Sequence, residues 1–447
     1  MQSLYLKTSQ FVAYYQVNGM KKYVFLVVLA FGLSLFVSAQ SVEHPSLGTS
    51  ATSEDGQFTI TLVSKMQNYS KTDTLTLDRD IRSPKSVNIH PNGQKYYVNS
   101  LEGAKTVVYE VGSNRKLKVI RHKFKNSDSA LWSEPSGLFE FTHYDTTFNV
   151  FTGKPVESVF SHSGRYLWVP YYRRSFDVNA QDPSAIAVID TERDSIIRLM
   201  ETGPLPKMVA VSDDNHYLAV THWGDNTVGI LDIASDTPED WHYLACVTVG
   251  KKLELDFSLT EPVNRDINSG LCLRGTVFTP DNRYLLVGCM GGNGGIAVID
   301  VSMGEYLGTV YGMKTNLRHL VIRGGYLYLS INKYGYVQRV PLSVFTDAVN
   351  QIKNKRATIK DWESCKVGIG ARTIEVTPDG RYIVAACNSS CSLSVVDTST
   401  METVTTIPAD PYPVGLDISK DGKYVYTTSQ GHSGKGGNCV DIYQMDY

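Results

Sequence analysis

No charge of one sign dominates this 447-residue chain: 43 Lys and Arg stand against 45 Asp and Glu, a net charge of −2 with His neutral. That balance supplies no global field to hold nucleic acid. Charged residues make up 20% and hydrophobic ones 42%, so a disordered charged tail is also excluded. Stretches with the 3.6-residue period of an amphipathic helix are scarce, which argues against a coiled coil. Long apolar runs are scarce as well. The stretch Tyr23–Val37 is about fifteen residues long, short of the ~20 a membrane helix needs. Cysteine is sparse, with seven in all. None falls in a C-x-x-C pair, a C-x-x-C-H haem motif or a compact zinc spacing. The glycine runs CMGGNGG (289–295) and GHSGKGGN (431–438) lack the G-x-x-x-x-G-K-[ST] order of a phosphate loop. No G-x-S-x-G nucleophile elbow is present on a strand–helix turn.

What is there begins with a leader. Residues Met20–Ala39 read MKKYVFLVVLAFGLSLFVSA: two lysines, an apolar run, then small residues. That is the order of a secretory signal peptide. Translation is expected to start at Met20 and cleavage to fall near Ala39. The mature chain would then work in the periplasm, at the cell surface or outside the cell, without a membrane span. Residues 1–39 are the extension and leader, 40–71 a lead-in segment, and 72–447 the folded array.

The array is a repeat. A β-type run, a Pro/Asp/Gly turn and a second run starting at Tyr recur in ARTIEVTPDGRYIVAAC (371–387), CLRGTVFTPDNRYLLVGC (272–289) and PKMVAVSDDNHYLAVTH (206–222). Further copies start at 84, 155 and 413, with a shortened one at 317–331. Third strands such as AIAVIDT (185–191) and GIAVIDV (295–301) follow. Apolar residues at period two, bounded by turn residues, give strands. Four strands per ~40–50 residues, seven times over, predict an all-β, seven-bladed β-propeller. Insertions fall near 112–154 and 234–271. The last copy lacks an outer strand, and the N-terminal segment is expected to supply it through Leu75–Leu77, removing an exposed sheet edge.

Runs such as YYVNS, YLAVTH and VYTTS, each followed by a strand ending in Val-Ile-Asp or Leu-Asp, resemble the Tyr-Val-Thr-Asn repeat propellers. That family contains surface-layer-type and periplasmic proteins and is similar to the lactonase-type propellers. The resemblance spans about residues 75–447. It implies the fold strongly and an activity weakly, since propellers host many functions.

The repeat register collects candidate site residues on one face. The residue near the start of each innermost strand is Lys85, Val156, Lys207, Arg274, Arg318, Arg372 and Val414, five cations in seven copies. Such a ring pairs carboxylates or phosphates; the same residues can instead brace neighbouring blades. Loops add Arg173, the pair His222 and Trp223, Asn332, and His432. Export permits disulfides, and Cys387–Cys391 and Cys272–Cys289 are candidate pairs, with a free buried set and a metal site as the alternatives. No cofactor or metal is predicted. The leading reading is a monomeric, non-catalytic binding or scaffold protein, whose partner is an anionic small molecule, an acidic glycan or a cell-envelope protein. A lactonase-type hydrolase working on the same face, with His222 or Glu157 as its acid or base, and a redox propeller holding non-covalent haem or metal remain as alternatives.

Overall fold

The repeated turn has a physical basis that the computed structural model displays in four blades. The model describes residues 43–145, 149–431 and 436–447. The leader at Met20–Ala39 and the site candidate His432 lie outside these residues. In TPDGRY, the Thr377 hydroxyl donates to Asp379 Oδ1 at 2.6 Å, which also accepts from the Arg381 amide at 3.1 Å. Thr377 Oγ1 in turn accepts the Tyr382 amide at 3.0 Å. Ser212–Asp214, Thr279–Asp281 and Ser419–Asp421 repeat the same hydroxyl–carboxylate bond. The residue after each Asp has positive φ, 59° at Asn215, 55° at Asn282, 78° at Gly380 and 75° at Gly422. Only Gly and Asn adopt that backbone readily, which is why the turns read DN or DG.

These hairpins form the inner half of seven antiparallel sheets. Inner strands are Pro84–Ile89, Pro206–Val211, Leu273–Phe278, Leu317–Arg323, Ala371–Val376 and Pro413–Ile418. In the second blade the inner strand is split. Val159–Ser161 pairs with the start of Tyr166–Arg174, and Phe151–Pro155 pairs with its end. Third strands are covered on both faces by neighbouring blades, and every residue of Ser184–Asp190 is buried. This explains their unbroken apolar sequence. The core is therefore a ring of inter-blade clusters, for example Leu286, Val298, Leu329 and Phe345 between blades four and five.

Closure uses the N-terminal segment, with a different stretch from the one the sequence suggested. Thr59–Gln67 pairs with the final strand Cys439–Asp446, and Ser50–Thr52 adds a fifth strand beyond it. Leu75 is 98% exposed, whereas Ile60 and Leu62 are fully buried. The threonine-rich run TITLVSKMQ masked this strand. A buried charge cluster pins it: Lys65 Nζ lies 2.5 Å from Asp410 and 3.7 Å from Asp441. Cys439 Sγ sits 3.1 Å from Asp441 Oδ1, and His44 Nδ1 bonds Asp410. Burial, then the neighbouring Asp410, pushes the Asp441 carboxyl well above its usual range.

The insertions are shorter than the repeat implied. Lys116–Arg121 and His242–Thr248 are ordinary outer strands of blades one and three. A further insertion carries the helix Leu342–Asn350, followed by Arg356–Thr358, which pairs in parallel with blade four. Among the described residues no helix is long and apolar enough to cross a membrane.

Truncating Leu62 to Ala should cost about 2–5 kcal/mol of stability, the range for a buried leucine. Leu75→Ala should stay within about 0.5 kcal/mol. Denaturant titration of the two variants distinguishes the closing strand directly; equal losses would mean that both stretches contribute.

Candidate functional site

One backbone device sets the channel mouth. Immediately before the inner strand, six blades carry a residue with left-handed φ: Ser83 (49°), Leu205 (56°), Cys272 (52°), Asn316 (70°), Gly370 (84°) and Tyr412 (60°). Five of these six are not glycine, so the conformation costs energy and must be held by its surroundings. The carbonyl of each accepts an amide from the end of its own second strand. Trp223 N to Leu205 O is 3.0 Å, Asn332 N to Asn316 O is 3.0 Å, and Asn388 N to Gly370 O is 2.8 Å. A β-bulge follows in all six inner strands. The second residue of each strand is thereby turned into the mouth, and in five blades it is Lys85, Lys207, Arg274, Arg318 or Arg372. The second blade, whose strand runs straight in from its insertion, contributes Val156 and then Glu157.

The cations are close-set and enclosed. Lys85, Lys207 and Arg274 are 7%, 5% and 5% exposed; Arg318 and Arg372 are half-buried. Among the described residues none of the five forms an ion pair, and the buried Nε atoms of Arg274 and Arg372 have no hydrogen-bond partner. Lys85 reaches Gln430 Oε1 at 3.4 Å, and Arg318 reaches Met290 Sδ at 3.2 Å. Lys207 Nζ lies 3.9 Å from the centre of the Tyr172 ring and 5.2 Å from that of Trp223. The Arg274 guanidinium lies 4.6 Å over Trp223. Aromatic faces thus hold the charges partly in place of anions.

Electrostatics follow from this crowding. Burial, then Arg372 and Arg274, drives the Lys85 ammonium well below its ordinary value. Burial and Arg274 do the same to Lys207, and Arg372 falls to about 10 through burial and Arg274. Burial raises the Glu157 carboxyl above its ordinary value, against the pull of the surrounding Lys85, Arg274, Arg372 and Lys207. Asp266, exposed at the rim, is a second counter-charge, acting on Lys207 more strongly than Glu157 does and on Arg372 less strongly.

The opposite end of the channel differs. Ile374 and Val376 point into the inter-blade core, so strand alternation turns Glu375 to the channel. Asp417, between Leu416 and Ile418, does likewise. Burial, with Asp417 nearby, raises Glu375 to about 8; burial raises Asp417 to about 7, against bonds from the Ile89 and Ile418 amides.

The other sequence candidates are placed as follows. His222 is fully buried, with Nε2 accepting from the Gly203 amide at 3.0 Å and Nδ1 2.8 Å from Thr227 Oγ1. Burial lowers it to about 3, so it is a neutral packing group that presents nothing to a ligand. Trp223 is 1% exposed and donates to Arg265 O; it is the floor beneath the cations and cannot stack a sugar. Arg173 donates to Val178 O within its own loop. Asn332 bonds the Asn316 side chain at 3.2 Å and braces the mouth. All seven cysteines are free, so neither Cys387–Cys391 nor Cys272–Cys289 is bridged. Cys272 occupies a left-handed position with Sγ on Ser269 O, while Cys387 Sγ turns inward to Ala385 O. Sequence reasoning missed Arg265, which ties the second insertion to Asn179 O, Ala180 O and Gly224 O at 2.6–2.8 Å. Nothing in its local sequence marks it. The described Cys and acid atoms close enough to share a cation are those of Asp410, Cys439 and Asp441, where the Lys65 ammonium already sits.

The fold and the mouth define a β-propeller with a cation-lined channel. The chain is similar to hydrazine synthase subunit beta of Kuenenia stuttgartiensis, 24% identical over 254 residues, or 48% of this chain and 60% of that protein. The match spans less than two thirds of that relative's length. Its structure is similar to a chain of Kuenenia stuttgartiensis hydrazine synthase, with TM-score 0.56 and 13% identity, covering 84% of this chain and 99% of that one. At that identity the likeness speaks for the propeller fold alone. No protein-family model matches the chain, so the Tyr-Val-Thr-Asn resemblance rests on its repeat motifs.

Uncompensated buried cations destabilise the free protein. Lys207→Met should therefore raise stability by about 1–3 kcal/mol at neutral pH. The Lys207 value in the folded chain is depressed, so between it and 10.5 the unfolded chain binds the extra proton and wild-type stability rises with pH. The variant's advantage should shrink across that window. A variant less stable than wild type at pH 7 in thermal unfolding would show Lys207 to be a brace.

Proposed function

We propose that this protein is a non-catalytic binding propeller that holds an anionic group at its channel mouth and serves as a component of a larger assembly. The observation that carries this reading is the convergence of Lys85, Lys207, Arg274 and Arg372 on Glu157, with Arg318 at the equivalent position of blade five and no ion pair formed by any of the five among the described residues. Blade braces would spend their donors on neighbouring carbonyls, yet Arg274, Arg372 and Lys207 make no such bond among the described residues. An anion would supply the missing acceptors and counter-charge, with Arg offering a planar fork. The similar protein's description as a subunit supports a role in association. The leader-like order of Met20–Ala39 supports a site of action outside the cytoplasm. The Tyr-Val-Thr-Asn motifs are consistent with that setting. The hydrolase alternative is weakened because His222, its candidate base, is sealed; Glu157 is the acid it retains.

Anion binding should take up protons, since it favours the charged forms of Lys85 and Lys207. Citrate or phosphate should raise the midpoint of thermal unfolding, by ~2.7 kcal/mol of stability at a hundred times the dissociation constant. The gain should weaken with salt and with rising pH, and vanish in Arg274→Gln/Arg372→Gln. Calorimetry in two buffers of different ionisation enthalpy would read the proton uptake. No midpoint shift with any anion would overturn the proposal.

A further inference from the structure

Beside the mouth, on blade five, three more lysines are held together without counter-charge. Lys314 and Lys366 each place Nζ 4.6 Å from the centre of the Tyr336 ring, and Lys333 lies 5.4 Å from that of Tyr334. Lys366 also donates to Tyr334 O. All three lysines are exposed, and among the described residues none forms an ion pair. With Tyr334, Tyr336 and Thr315, Lys314 and Lys366 line a groove of about 420 Å³ that holds no carboxylate. The cluster is built: the Gly335 loop lies so close to Gly368 O that a Cβ at Gly335 would sit 2.5 Å from it. Between this groove and the mouth stands Ile369, 53% exposed, and three residues on is Arg372.

The surface thus presents cations, then an apolar side chain, then cations again, along one continuous segment. From Lys366 to Arg372 is six residues, at most ~20 Å of extended chain. A small anion fills one end of that span only. An extended peptide places side chains every ~3.3 Å and reaches both.

We infer that the channel mouth and the blade-five groove together form one docking track for an extended acidic segment of a partner protein. Its carboxylates flank an apolar residue that packs on Ile369. This rests on the anion-binding reading of the mouth. It adds the class of ligand and a second contact surface. Tyrosine-backed lysines suit such a partner, because the ring faces hold each ammonium in position.

The test uses the full chain and a short fluorescein-labelled peptide of glutamates around a central leucine, followed by anisotropy. The peptide should bind and weaken as salt rises. Lys314→Glu/Lys366→Glu should weaken it at least tenfold while leaving the citrate-induced rise in unfolding midpoint intact. Ile369→Ser should weaken it several-fold, and Arg372→Gln should weaken both peptide and citrate. Equal peptide binding by wild type and the double lysine variant would overturn the docking track. So would citrate protection with no peptide binding, an outcome that spares the mouth as a small-anion site. Retention on phosphatidylglycerol vesicles without peptide binding would overturn it in favour of a lipid surface. If neither citrate nor peptide acts on the wild type, both readings fall.

Discussion

Five like charges stay together at the mouth because the backbone gives them no alternative. In six of the seven blades a left-handed residue before the inner strand, held by an amide from the end of that blade's second strand, turns the next side chains toward the axis. The bulge that follows lets the second residue face the channel without disturbing the alternation that fills the inter-blade core. Each blade imposes this separately, so the electrostatic cost is spread over many hydrogen bonds. No single contact forces the cations together, and no single side-chain rotation relieves them. The aromatic floor of Tyr172 and Trp223 and the carboxylates of Glu157 and Asp266 reduce the repulsion without cancelling it.

The channel is consequently asymmetric. Cations gather where the inner strands begin, and Glu375 and Asp417 lie three residues after Arg372 and Val414, toward the other end. Both acids face the channel with carboxyls raised by burial, Glu375 to about 8 and Asp417 to about 7. The gradient runs along the axis of a molecule whose net charge is only −2. Composition averages this away, and register alone brings it out.

Much of the fold was legible because inner hairpins have strict chemistry: Thr or Ser, Asp, then Gly or Asn, then Tyr. Each residue in TPDGRY answers to one bond or one dihedral. The cations were legible for the same reason, since they occupy a fixed offset from that turn. Legibility failed where the repeat stops. Thr59–Gln67 carries threonine, serine and lysine at a strand that is largely buried, and only its pairing with Cys439–Asp446 reveals it. The loop HWGDN is polar and aromatic like a ligand loop, yet its His and Trp fold inward to satisfy Gly203, Thr227 and Arg265. Sequence shows which groups a loop owns; burial decides which of them remain free.

The closing strand also carries the longest loop closure in the ring. Thr59–Gln67 and its partner Cys439–Asp446 are separated along the chain by the other six blades, so this pairing is the most non-local in the ring. Until it forms, blade seven lacks its outer half, and the Lys65–Asp410–Asp441 cluster lies on separate pieces of chain. Loss of either strand therefore opens the same seam and bares the same sheet edge.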